Sequence, residues 1–159
     1  MNGTFIVNKV TCNFSFNPTA RLLTVLRDNG FTEVKQGCQE GLCGACLVII
    51  DQQLVNSCQV LAASCLQKQI TTVKGIGTLH HPHIIQEAFV EAGAVQCGFC
   101  TPGMVLATYN LLNQIPQPSE EQIKQFLDGN LCRCTGYVKI INAVKIAARR
   151  LNQGNHGEN

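Results

Sequence analysis

The sequence predicts an α+β chain built as two units in series. A small mixed α+β unit covers residues 1–76, and an all-α unit of four helices covers 77–151. Three observations carry this. The apolar pattern is short and largely strand-like up to Val73 and helical after Pro82. Gly75-Ile76-Gly77 punctuates the change. Eight of the ten cysteines fall into two groups, one in each part. With 159 residues, of which 45% are apolar, each part can bury a modest core.

The elements follow in order. Thr4–Asn8 and Val10–Phe16 are rich in strand formers, with Asn8-Lys9 as the hairpin turn between them. Cys12, Phe14 and Phe16 share one face of the second run. After Asn17-Pro18-Thr19, the stretch Ala20–Asp28 places Leu22, Leu23, Val25 and Leu26 at helical spacing, and Asn29-Gly30 stops it. A loop rich in glycine and cysteine runs from Gly37 to Cys46. Leu47–Ile50 is a short buried strand, Asp51-Gln52-Gln53 turns it into Leu54–Asn56, and Gln69–Val73 closes the sheet. In the second part, Pro82 opens a helix to Ala92 that faces Ile84, Ile85, Ala88 and Phe89 inward. Thr101-Pro102 supplies a cap and a first-turn proline before Met104–Leu112. Ser119-Glu120-Glu121-Gln122 fits a capping box, with Gly129 beyond its helix. Tyr137–Leu151 is the last amphipathic helix, carrying Ile140, Ile141, Val144, Ala147 and Ala148, and 152–159 is expected to be a disordered tail. Four short helices joined by tight loops predict a bundle.

Composition narrows the function. The formal net charge is only +2, too low for a nucleic-acid footprint. Charged residues make up 14%, against a usual ~25%, which implies surface covered by other chains. No run approaches the ~18 apolar residues of a membrane span, so no membrane insertion is expected. Met1-Asn2-Gly3-Thr4 lacks the charged and apolar regions of a secretory signal, which predicts a cytoplasmic protein. In that reducing compartment, ten thiols indicate metal or redox chemistry rather than disulfides.

Cys38-x4-Cys43-x2-Cys46 followed by a distant cysteine is the plant-type ferredoxin spacing for a [2Fe–2S] cluster. With four thiolates such a centre is a dianion when oxidised and a trianion when reduced, so backbone N–H groups must point at its sulfurs. Gly37, Gly41 and Gly44 let the loop curl around it. Cys58 is better placed than Cys65 as the fourth ligand. The alternative is a zinc knuckle or buried thiols, although zinc sites usually use cysteines two by two. Cys97-Gly98-Phe99-Cys100 and Cys132-Arg133-Cys134 can supply four further thiolates. Thr101-Pro102 puts the first pair at a helix N-terminus, which favours an anionic centre, and Gly136 lets the chain leave the second sharply. Zinc or a thioredoxin-like pair is the alternative here.

These motifs, Gln36-Gly37-Cys38-x-Glu40-Gly41-x-Cys43-Gly44-Ala45-Cys46, Asn56-Ser57-Cys58, Thr72-Val73-x-Gly75-Ile76-Gly77, Gln96-Cys97-Gly98-Phe99-Cys100-Thr101-Pro102-Gly103 and Gly129-Asn130-Leu131-Cys132-Arg133-Cys134-Thr135-Gly136-Tyr137, resemble the small iron–sulfur subunit of the molybdenum hydroxylases, the xanthine oxidase family. The resemblance runs from about Thr4 to Arg150. It implies a β-grasp, plant-ferredoxin-like N-terminal domain and a four-helix C-terminal domain with a two-fold arrangement, each holding one [2Fe–2S] cluster. It further implies a large partner subunit whose molybdopterin lies next to the helical-domain cluster, approached by Gln96 and Cys134. Electrons then pass to the β-grasp cluster and on to FAD in a medium subunit or to another acceptor. The partner's substrate would be a purine, another N-heterocycle or an aldehyde.

Other features have plainer readings. His80, His81 and His83 suit a solvated linker or helix N-terminus better than a metal site. Cys12 and Cys65 suit small buried hydrophobes. Glu40 either fixes the cluster loop or faces solvent, and Phe99 either excludes water from the centre or packs in the core. Arg133 is expected to point away from the metal, and Arg149-Arg150 to face solvent or a partner. No nucleophile, general-base set or nucleotide loop is evident, so no catalytic residue is assigned to this chain. Two rivals remain at this point: a free-standing two-cluster ferredoxin and a zinc-stabilised interaction module.

Overall fold

Two consecutive left-handed residues, Asn8 (φ 52°) and Lys9 (φ 69°), close the first hairpin, joining β1 (Asn2–Val7) to β2 (Val10–Ser15). Left-handed twist at both turn positions suits two antiparallel strands, and Val7 pairs with Val10 at the turn. The computed structural model describes residues 1–154. On the inner face of the hairpin the Phe5 ring lies 5.3 Å from that of Phe14 and 5.5 Å from that of Phe16. Helix α1 (Leu22–Asp28) lays Leu22, Leu23, Val25 and Leu26 against this face and ends at Asn29-Gly30.

β3 (Leu47–Ile50) turns through Asp51 (φ 46°) and Gln52 (φ 73°) into β4 (Gln53–Asn56), one residue sooner than expected. β5 (Gln69–Thr71) then slots between β1, to which it is parallel, and β3, to which it is antiparallel. The sheet order is β2-β1-β5-β3-β4, the β-grasp arrangement. A three-residue strand gains little from its ladder. Burial of Ile70, which is 1% exposed, contributes more, on the order of 1.5–3 kcal/mol. The expected closing strand stops at Thr71 because Val73–Ile76 coils into a short helix, α2.

β3 is buried along its whole length for a specific reason. Side chains alternate across a strand. Val48 and Ile50 enter the core beneath α1, whereas Leu47 enters the core of the helical unit, which lies on the opposite face. At the junction, Asn8 exchanges two hydrogen bonds with Thr72, Nδ2 to Oγ1 at 3.0 Å and Thr72 N to Oδ1 at 2.8 Å. The Thr72 hydroxyl donates to the buried Glu33 carboxylate at 2.8 Å, and Lys74 neutralises that carboxylate from 3.2 Å.

The helical unit comprises α3 (Ile84–Glu91), α4 (Thr101–Gln114), α5 (Glu120–Leu127) and α6 (Val138–Gly154). Six helix starts or ends depart from expectation, two of them by one residue: α3 stops at Glu91 rather than Ala92, and α6 starts at Val138 rather than Tyr137. His83, not Pro82, caps α3: its Nδ1 accepts from Ile85 N at 3.2 Å, and Gln86 Oε1 accepts from His83 N at 2.8 Å. Thr101 is the first residue of α4 and Cys100 its cap. α4 also continues two residues past Leu112, to Gln114. α6 runs past Leu151 to Gly154, so Asn152 is helical and its side chain donates to Pro116 O at 2.9 Å. The remainder of the expected tail, 155–159, lies outside the described residues. The capping box of α5 forms as expected, with Gln122 N donating to Ser119 Oγ at 3.2 Å. No helix among the described residues is long and apolar enough to cross a membrane.

Glu120 sits between Lys124 (2.7 Å) and Lys145 (2.6 Å), which hold its carboxyl down at about 2 from an ordinary 4.5. A carboxyl depressed in the folded state stabilises fully above its unfolded pKa and loses that contribution as pH falls through the folded one. Thermal unfolding is therefore expected to show Glu120→Gln less stable than wild type at pH 7 and the gap to close between about pH 4.5 and 2. A gap unchanged at low pH would contradict the ion pairing.

Candidate metal centres

None of the ten cysteines is in a disulfide, and the fold gathers eight of them into two places. The first lies in the loop before β3. There Glu40 N and Leu42 N both donate to Cys38 Sγ at 3.3 Å, and Cys38 N donates to Cys43 Sγ at 3.4 Å. Those two amides draw the Cys38 thiol down to about 7. Cys58 arrives on a 3-10 turn, Ser57–Gln59, directly after β4. Ser57 fastens that turn to the loop, donating to Cys46 O from its hydroxyl at 2.7 Å and its amide at 3.2 Å. The Cys46 and Cys58 thiols are consequently neighbours; burial, opposed by the Cys58 amide and reinforced by the Cys58 side chain, pushes Cys46 up to about 11. Cys65 sits apart, buried in the core beneath α1.

The second place lies between the loops α3–α4 and α5–α6. Cys100 caps α4 and faces Cys132, while Cys97 faces Cys134. Burial drives Cys100 up to about 12. Burial also lifts Cys132, but Thr135 outweighs it: its hydroxyl donates to Cys132 Sγ at 3.0 Å and its amide at 3.4 Å, and the thiol falls to about 7. Tyr137, in a left-handed turn (φ 67°), braces the loop: its hydroxyl accepts from Cys132 N at 2.9 Å and donates to Asn130 O at 3.2 Å. Gln96, Cys97, Phe99 and Cys134 all lie on an exposed face. Phe99 is 46% exposed, so core packing is not its role.

The donor sets suit a two-iron cluster. Each place offers four thiols in two facing pairs, Cys38 with Cys43 and Cys46 with Cys58, then Cys97 with Cys134 and Cys100 with Cys132. Two irons, each taking two thiolates, need this arrangement, whereas one tetrahedral ion needs its ligands to converge. Among the described residues no three His, Cys, Asp or Glu side chains converge in that way. Backbone amides aimed at sulfur supply the donors that an anionic centre requires.

The two places touch. Leu131 N, one residue before Cys132, donates to Cys43 O at 2.9 Å. Gly44 makes the approach possible: a Cβ there would lie 1.9 Å from Asn130 Oδ1 and 2.8 Å from Gly129 O. Gly103 plays the reciprocal part, since its Cβ would fall 2.4 Å from Gly44 O. Gly37 leaves room for Cys43 Sγ, which a Cβ would approach to 2.7 Å.

The sequence assigns no site role to Asn56, Thr135 or Tyr137, although all three stand inside the motifs, and Gln59 lies just outside them. Asn56 Nδ2 donates to Gly41 O at 3.1 Å and steadies the first loop. Glu40 contributes through its backbone, while His80, His81 and Arg133 lie exposed, and Arg150 pairs with Glu91 of α3 rather than facing solvent alone.

Comparison with known proteins adds to this geometry. Residues 5–69 match the family described as a 2Fe-2S iron-sulfur cluster binding domain, and residues 72–145 match the family described as a [2Fe-2S] binding domain. The nicotinate dehydrogenase small FeS subunit of Eubacterium barkeri is 46% identical over 91% of this chain and 98% of its own length. The xanthine dehydrogenase of Emericella nidulans is 40% identical over 91% of this chain but only 11% of its own length, so there the match covers a small part of a long polypeptide. The crystal structure of quinoline 2-oxidoreductase from Pseudomonas putida 86 contains a chain that superposes with a TM-score of 0.91 at 35% identity, covering 97% of both chains.

Proposed function

The chain belongs to the family of small [2Fe–2S] electron-transfer subunits of the molybdenum hydroxylases, and from that premise we propose that Cys38, Cys43, Cys46 and Cys58 hold one cluster and Cys97, Cys100, Cys132 and Cys134 the other. The observation that carries the assignment is the sorting of eight thiols into four facing pairs, two pairs in each unit. When bound, each cluster supplies a one-electron store between an electron donor and an acceptor. The chain's own groups do the rest. Glu40 N, Leu42 N, Thr135 N and Thr135 Oγ1 hold the thiolate charge, and burial of Cys46 and Cys58 keeps water from that side of the first centre.

The exposed face bearing Gln96, Cys97, Phe99 and Cys134 is the docking face for a large molybdopterin-binding subunit, with Gln96 and Cys134 nearest its pterin. The β-grasp centre then hands electrons to FAD on a medium subunit or to another acceptor. The partner's substrate is an N-heterocycle or an aldehyde; nicotinate, xanthine and quinoline in the names of the relatives are all N-heterocycles. Residues 1–76 and 77–151 form the two domains, and the whole assembly is cytoplasmic.

Anaerobic purification of the chain with whatever accompanies it in its own cells tests this. The expected product is a brown complex with a large molybdenum-containing chain, iron and acid-labile sulfide in equal amounts, and two distinct EPR signals on reduction. A chain with no molybdenum partner would instead be a free-standing ferredoxin. Zinc without sulfide would make it an interaction module.

A further inference from the structure

We propose that the Gln59 carboxamide is a positioning residue for the β-grasp centre: it donates an N–H to the Cys58 sulfur and so raises that centre's affinity for an electron. The inference rests on the reading of Cys58 as a cluster ligand.

Three acceptors meet at Gln59 Nε2: Gln39 O at 3.1 Å, Cys58 O at 3.2 Å and Cys58 Sγ at 3.3 Å. The two carbonyls only accept, as does the sulfur when it is a thiolate, so the nitrogen of the carboxamide, not its oxygen, faces the loop. Two hydrogens serve three acceptors, and a sulfur carrying thiolate charge draws an N–H more strongly than a neutral carbonyl does. The arm is also held in place. Its Cγ packs over Gly41, where an added Cβ would come within 2.9 Å, and its backbone carbonyl accepts from Arg21 Nη1 at 3.4 Å.

Gln59 differs in kind from the other donors at this centre. Cys38 and Cys43 receive backbone N–H groups, which any sequence folding this loop supplies. The bond to Cys58 comes from a side chain, which can change while the loop keeps its path. An electron added to the centre increases the negative charge on its sulfurs, so an N–H donor stabilises the reduced state more than the oxidised one. Gln59 lies on an exposed rim, and water competes with it there. The effect is accordingly modest, about three- to tenfold in the one-electron equilibrium, tenfold being about 59 mV. At the helical centre the corresponding side-chain donor is the Thr135 hydroxyl on Cys132, which Gln59 does not touch.

The test is redox potentiometry of the full chain carrying both centres, followed by EPR, with a chemical reductant supplying one electron per centre. The β-grasp signal is assigned as the one that Cys43→Ala abolishes. Gln59→Met keeps the arm's length and packing but cannot donate. It is expected to shift the β-grasp equilibrium three- to tenfold toward the oxidised state and to leave the helical centre unmoved. Gln59→Glu, which adds negative charge, is expected to shift it further in the same direction. An unshifted β-grasp midpoint in Gln59→Met overturns the proposal. If Gln59→Met fails to hold its iron, wild-type chain labelled with amide-15N glutamine decides: a 15N hyperfine coupling on the reduced β-grasp signal supports the bond, and its absence overturns it. A wild-type chain without iron overturns the functional reading itself, and this inference with it.

Discussion

Replacing Cys43 with alanine is expected to remove half of the iron and acid-labile sulfide and to leave the other half in place. Cys43 faces Cys38, and its sulfur accepts the Cys38 amide at 3.4 Å. Without it the proposed first centre would keep three thiolates, and the iron that shares Cys38 would keep a single protein ligand. The four thiols of the helical centre are untouched. Alanine also retains the carbonyl that receives Leu131 N, so the contact between the two loops survives. One EPR signal should disappear and the other persist with its line shape unchanged. Full iron retention would mean that the four-thiol assignment at the first centre is wrong.

Gly44→Ala is expected to cost more stability than any other single methyl addition in the two loops, about 2–5 kcal/mol from left-handed strain plus overpacking. Its φ is +68°, and the added carbon would lie 1.9 Å from Asn130 Oδ1 and 2.9 Å from Asn130 Cα. A side-chain oxygen can swing aside; the backbone of Gly129 and Asn130 cannot without parting the two loops. Gly30→Ala, at the end of α1 and away from both centres, is the control. It is equally left-handed, at φ +90°, but meets nothing within 4 Å, so it should lose only the conformational part, about 1–2 kcal/mol. Denaturant unfolding of the two variants side by side checks this. Equal losses would show that the seam between the loops is not tight.

Much of this was legible in the sequence, and the reasons differ by element. Leu47–Ile50 announced itself as four consecutive strand formers between a glycine-rich loop and a turn. The α5 capping box was readable because its donors and acceptors lie three residues apart, within reach of local pattern. The sheet order was not readable. β5 pairs with β1 across more than sixty residues, and nothing local in Gln69–Thr71 names its neighbours. Cys100, not Thr101, caps α4 and does so without a side-chain hydrogen bond, so no capping hydroxyl marks where that helix begins. α6 outran its expected end because Asn152 found Pro116 O, a partner on another loop.

The cysteines show the same division. Spacing singled out the eight thiols, since chelation by a short loop is a local matter. Which thiol faces which is a property of how the loops converge: Cys97 meets Cys134, and Cys100 meets Cys132, across two helices. The donor roles of Gln59 and Thr135 leave no local signal, because a polar residue near a cysteine carries no periodic or capping signature. Only the direction of its side chain distinguishes a donor to sulfur from a solvated neighbour.

β3 has a consequence for how the molecule comes apart. Leu47 is anchored among the helices while Val48 and Ile50 are anchored beneath α1. It is a party wall, and neither household can leave without exposing the other's side of it. Melting should therefore be one concerted event, with no half-molten species in which a single centre survives on an ordered remnant.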